Sequence, residues 1–140
     1  MRGFLLDTCV ISEPTRPKAS DKVLAWLNAR PAESLYISVI TIAEIEQGIA
    51  HIGAGPRARK LEAWLRDSLA PLFESRTLEV DLAIAHRWGR LQGDALRSGR
   101  ALAVIDSMLA ATAMEHDLTV VTRNTKDFAP LDIPLINPWQ

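Results

Sequence analysis

The period of the hydrophobic positions changes repeatedly along the chain. Residues 3–6, "GFLL", make a short apolar run of strand type that stops at an acid, Asp7. Asp21–Ala29 carries Val23, Trp26 and Leu27 at helical spacing behind Ser20, a good N-cap residue. Leu35–Ile37 is a second short strand. Thr41–Ile52 reads as an amphipathic helix with Ile42, Ile45, Ile49 and Ile52 on one stripe and Glu44, Gly48 and His51 on another face. Pro56 opens a helix to about Leu69, with Leu61, Trp64 and Leu65 as its apolar side. Leu78–Val80 reads as a strand, Leu82–Arg97 as a helix ending near Gly99, and Val104–His116 as an alanine-rich helix. Thr119–Thr122 and Leu135–Ile136 complete the strands. Strands alternating with helices predict a parallel sheet covered by helices, an α/β fold. Its strands would be buried on both faces, which suits the unbroken runs "GFLL" and "TVV".

Composition narrows the class. A length of 140 residues suits one domain spanning 1–140. No apolar run approaches the roughly 20 residues that cross a bilayer, and no signal-peptide pattern opens the chain, so the expectation is a cytoplasmic protein without membrane attachment. The single Cys9 excludes an internal disulfide framework and a cysteine-built zinc site. A net charge of −1 means that any nucleic acid must be met by a local basic patch.

In a parallel α/β sheet, ligands bind beyond the carboxyl ends of the strands, where Asp7 falls. Four further positions read with it: Glu44 in "TIAEIEQG", Asp106 in "VIDSMLAATA", and Asn124 and Asp127 in "VVTRNTKDF". Each also has a local explanation. Asp7 can cap the turn that follows it. Thr41 and Glu44 have capping-box spacing. Asp106 suits an N-cap or the first turn of a helix. Asn124 and Asp127 are turn formers. As a set they acquire another meaning. Asp7 and Asn124 both follow apolar strands. The small residues Ala110, Ala111 and Ala113 let the Asp106 helix pack closely on the sheet. Carboxylates gathered at one edge repel unless a cation neutralises them, and oxygen-only ligands suit Mg²⁺ or Mn²⁺. Acids clustered around such ions are one solution for phosphodiester hydrolysis. The chain has no phosphate-binding glycine loop and no nucleophile elbow. His51, His86 and His116 are scattered and read as structural or solvent-facing. Cys9 reads as an inert thiol, and Trp26, Trp64, Trp88 and Trp139 as core or interface residues.

The segments "LLDTCVISEP", "ISVITIAEIEQG", "AVIDSMLAATAMEHDLTVVTRNTKDF" and "INPWQ" resemble, in order and over nearly the whole chain, the PIN-domain ribonucleases. Within them the likeness is to VapC-type toxins, of the FitB-like branch. The resemblance implies a three-layer α/β/α sandwich around a central parallel sheet, usually a homodimer. It implies a Mg²⁺- or Mn²⁺-dependent endoribonuclease that inhibits translation, and a VapB-like antitoxin that occludes the site and through which alone operator DNA is bound. Asp7, Glu44 and Asp106 fall on the family's three core acidic positions, with all three as metal ligands. Asn124 stands where many members carry a fourth Asp, and Asp127 on a second acidic position near the site. Thr8 and Thr122 fall on supporting hydroxyl positions. Arg123 and Lys126 flank this edge and are the favoured RNA contacts; Arg16, Lys18, Arg57, Arg59 and Lys60 are further candidates. Two other readings stay open. One is a weakly active or inactive PIN module serving chiefly in a DNA-binding complex that represses its own operon. The other is a phosphatase-like hydrolase using Asp7 as nucleophile, although Cys9 stands where that class commonly has a second Asp.

Overall fold

A computed structural model of the chain describes residues 3–140. Its centre is an all-parallel sheet of β1 (Phe4–Leu6), β2 (Leu35–Ser38), β3 (Thr77–Leu78), β4 (Thr119–Val121) and β5 (Leu135–Ile136), in the order β3-β2-β1-β4-β5. The central pair is in register Leu5↔Val120 and Leu6↔Val121. Leu5, Leu6, Val120 and Val121 are all fully buried, because successive side chains point to opposite faces and both faces are covered. Leu5 and Val120 pack with Leu109, Ala110, Ala113 and Phe128 on one side of the sheet. Leu6 and Val121 pack with Val10, Val23, Ile37, Ile45 and Ile49 on the other. The sheet is thus the middle layer of an α/β/α sandwich.

Around it lie α1 (Thr8–Ser12), α2 (Asp21–Asn28), α3 (Val39–Ile52), α4 (Pro56–Trp64), α5 (Ala70–Leu72), α6 (Leu82–Arg97), α7 (Val104–His116) and α8 (Thr125–Phe128). The bounds expected for α6, α7 and β5 are those observed. Helix α2 ends at Asn28, and Ser20 caps it by accepting from the Val23 N–H at 3.4 Å. Three points differ from the sequence reading. First, α1, for which the sequence carried no expectation, begins directly after Asp7, in a stretch too short for a helical period to register. Second, α3 starts at Val39 because Ser38 is its N-cap, accepting from the Ile40 N–H at 3.0 Å. Thr41 therefore lies inside the helix, and the capping-box reading of Glu44 is withdrawn. Third, the helix from Pro56 continues through a π-turn, Leu65–Leu69, into α5, and the strand expected at Leu78–Val80 is Thr77–Leu78. The Ile stripe of α3 buries Ile45 and Ile49, while Ile52 at the helix end is 40% exposed. Helices α6 and α7 are pinned through the buried Ser107 hydroxyl, which accepts from Trp88 Nε1 and Gln92 Nε2, both at 2.9 Å, and donates to the Ala103 carbonyl.

The sheet leaves no room beside Gly3. A Cβ there would stand 2.8 Å from the Ser34 carbonyl oxygen and 2.8 Å from the Tyr36 ring. The first of these is backbone and cannot swing aside. Gly3→Ala is therefore expected to lower stability by about 1–3 kcal/mol, the usual cost of overpacking. A denaturant midpoint equal to wild type would show that the β1–β2 approach is looser than this.

Candidate active site

The strand order turns back between β1 and β4, so a crevice opens at the carboxyl ends of these two neighbours. Asp7 leaves β1 there and Thr122 leaves β4. The Asp7 N–H still donates to the Val121 carbonyl at 2.9 Å, which ties the two strand ends together. Asp7 is 6% exposed and has no cation paired with it among the described residues. Its oxygens are held by uncharged donors. The Thr8 N–H donates to Oδ1 at 2.8 Å, and the Thr122 hydroxyl donates to Oδ2 at 2.7 Å. The first bond makes Asp7 the N-cap of α1, so its local explanation holds as well. The Cys9 thiol points at Oδ2 from 3.8 Å. Burial raises the thiol pKa, against a lowering by the hydrogen bond to the Arg123 main chain, and the nearby Asp7 charge raises it further, so the thiol stays protonated at neutral pH.

Glu44 reaches the same place from α3. Its Oε1 accepts from the Thr8 hydroxyl at 2.5 Å. Thr8 thus bridges two acids, giving its N–H to Asp7 and its hydroxyl to Glu44. Glu44, Gly48 and His51 share a shallow groove with Thr8, as the helical spacing predicts. One turn before Glu44, the fully buried Thr41 hydroxyl lacks a hydrogen-bond partner.

Asp106 enters from the first turn of α7, whose N-cap is Ala103. Its carboxyl pKa is raised to about 6, first by loss of solvation and then by the charges of Asp7, Asp127 and Glu44. Those charges act on Asp106 only because the fold has brought all four acids to one edge. Asp127 lies on α8 and is exposed. Asn124 precedes α8, and its N–H donates to the Thr122 hydroxyl at 3.0 Å. It joins the site through this backbone bond, and its exposed side chain makes no capping bond. Lys126 lines a pocket with Asp127 and Arg100 beside Ala103. Arg123 stacks on the Trp139 ring, 5.1 Å from its centroid. The Cys9 contact and the Trp139 stack were not evident in the sequence, since nothing in the spacing of residues 9, 123 and 139 brings them together.

The chemistry of this donor set fits a hard divalent cation. The acids supply only oxygen ligands and lack a basic partner among the described residues. An anionic substrate would be repelled by them unless positive charge intervened. Among the described residues no three acidic side chains already converge on one ligating point.

Known proteins share the sequence pattern and the fold. The PIN domain family model matches residues 4–133. Toxin FitB of Neisseria gonorrhoeae is 41% identical over 97% of this chain and 98% of its own length. VapC ribonuclease Y4jK of Sinorhizobium fredii is 37% identical over 98% of each chain. The structure of FitAB bound to an IR36 DNA fragment superimposes with a TM-score of 0.90 at 39% identity, covering 98% of this chain and 96% of that one.

Proposed function

The chain belongs to the PIN-domain family, and from that premise we propose that it is the endoribonuclease toxin of a VapBC-type toxin–antitoxin pair, with residues 1–140 as one domain. The observation that carries this reading is that Asp7, Glu44 and Asp127 stand near enough to Asp106 for their charges to raise its carboxyl, with Asp7 at the switch point between β1 and β4. Asp7 and Asp106, with Glu44, would hold Mg²⁺ or Mn²⁺. Such an ion supplies a bound water of lowered pKa and offsets charge on the scissile phosphate. The residues of the chain do the positioning. Thr122 and the Thr8 N–H fix the Asp7 carboxylate on both oxygens, and the Thr8 hydroxyl orients Glu44. Asp127 adds charge where Asn124 carries none, so it is the residue that would support a second, weaker ion. Arg123 and Lys126 supply positive charge for RNA at the rim. The action falls in the cytoplasm, on an RNA required for translation.

The partner is a VapB-like antitoxin, which would also carry any contact with operator DNA. A cluster of acids is a natural target for an Arg or Lys from another chain. On the face of α3 turned away from Glu44, Ile42 with Leu65 and Ala70 from the helical stretch after Pro56 lines a groove of about 590 Å³, whose charged residues are Glu46, Glu62 and Arg66. An amphipathic antitoxin segment with apolar anchors and basic flanks suits that lining.

The test is incubation of the purified, antitoxin-free protein with total RNA. Cleavage is expected with Mg²⁺ or Mn²⁺ and none with EDTA. A protein that binds antitoxin and operator DNA but never cuts RNA would favour the repressor-module reading. Glu44→Gln gives a sharper check. The glutamine oxygen can still accept from Thr8, so stability should change by less than about 1 kcal/mol. Cleavage should fall at least about tenfold, since disturbing even an outer partner of a metal site costs that much. An active, stable Glu44→Gln protein would remove Glu44 from the site.

A further inference from the structure

Arg123 is held differently from the chain's ion-paired arginines. Arg16, Arg66, Arg87 and Arg97 each pair with a carboxylate. Arg123 has no such pair among the described residues. Its guanidinium instead lies over the indole of Trp139, three-dimensionally adjacent though sixteen positions away in sequence. Both partners are anchored. Arg123 follows Thr122, whose hydroxyl binds Asp7, and its main chain is hydrogen-bonded to Cys9. Trp139 is half-buried against the core cluster that contains Leu6 and Val10, and its N–H donates to Asn137 Oδ1 at 2.9 Å.

A carboxylate partner would have cancelled the Arg123 charge and occupied its donors. An aromatic face does neither. It leaves the guanidinium charged and its N–H groups without a carboxylate acceptor, and a guanidinium fork matches the two oxygens of a phosphate. We propose that the Arg123–Trp139 stack is a phosphate-binding subsite for RNA at the rim of the acidic crevice, in which Arg123 contacts the backbone phosphate and Trp139 is the positioning residue that holds it there. This rests on the ribonuclease reading. It adds a role for the C-terminal "NPW" turn in substrate binding, where a purely structural role would only close the edge of the sheet beside β5.

The experiment is a double-mutant cycle read by RNA binding. Labelled oligouridylate is titrated in EDTA, where nothing is cut, against wild type, Arg123→Ala, Trp139→Leu and the double variant. Leucine keeps apolar packing against the core but has no π face. Trp139→Leu should weaken binding about two- to fivefold, the worth of an exposed cation–π contact. The same change should cost nothing further once Arg123 is alanine. Arg123→Ala should make the salt dependence shallower by about 0.7, the release expected for one phosphate on a single strand. Trp139→Phe should recover most of the affinity. In Mg²⁺, Trp139→Leu should raise KM with little change in kcat. If Trp139→Leu does not fold, the cycle is run with Trp139→Phe, whose smaller loss should likewise vanish in Arg123→Ala. Equal losses from Trp139→Leu in both backgrounds, or wild-type binding by the folded variant, overturn the inference while the ribonuclease reading stands. A wild-type protein that neither binds nor cleaves RNA overturns both.

Discussion

Asp7→Asn should lose at least about a hundredfold in RNA cleavage while melting close to wild type. The expected loss exceeds the 10- to 100-fold cost of removing a residue that only supports a metal ligand, because Asp7 would itself be a ligand. The small effect on folding follows from its hydrogen bonds. An asparagine oxygen can still accept from the Thr8 N–H, as Asp7 Oδ1 does at 2.8 Å. The new amide N–H group would face the Thr122 hydroxyl, which can accept on a lone pair not used by the Asn124 N–H. The Thr122 proton then loses its acceptor, at a cost of about 1–3 kcal/mol. Against this, one of the charges that raises the Asp106 carboxyl disappears. Cleavage rate and thermal midpoint, measured on protein free of wild-type contamination, decide the matter. A folded Asp7→Asn protein with full activity would remove the residue from the chemistry.

Asp106→Asn should abolish cleavage to a similar extent and also flatten part of the pH dependence of stability in the cation-free protein. The sign follows from the direction of the shift. The Asp106 carboxyl has its pKa raised from 3.8 to about 6 in the folded chain. Below 3.8 it is protonated in both folded and unfolded states and contributes nothing. As pH rises above that, the unfolded chain ionises first, so the folded state loses stability until its own carboxyl ionises near 6. Above that point the loss is constant. In EDTA, the wild-type midpoint should therefore fall relative to that of Asp106→Asn across this window and stay level beyond it. Mg²⁺ binds the ionised form, so added Mg²⁺ should restore wild-type stability at neutral pH, and more weakly as pH drops through about 6. A difference curve that is flat between the two proteins would mean that Asp106 does not feel the other acids.

Much of this was legible in the sequence because it is written locally. A helical pattern ended near Gly99 marks α6 over Leu82–Arg97, alanine-rich composition marks α7 over Val104–His116, and unbroken apolar runs mark β1 and β4 as buried on both faces. The order of strands and helices dictates a parallel sheet, and that places Asp7 at a carboxyl end before any coordinates are seen. Local pattern could not choose between a capping role and a site role for the acids. Tertiary structure removed the capping role for Glu44: Ser38 caps α3, and the Glu44 carboxylate accepts from Thr8, thirty-six residues earlier in the chain. For Asp7 the capping role holds and leaves the second oxygen to meet Thr122. Short elements also escaped the sequence, α1 above all, because five residues span too little of a helix to display a period. The contacts that assemble the crevice join residues far apart in the chain: Asp7 with Thr122, and Arg123 with Trp139 across the β5 edge. Sequence spacing carries no information about such pairs. They exist because a sheet ordered β3-β2-β1-β4-β5 sets the first and fourth strands side by side, and everything that follows those two strands must meet there.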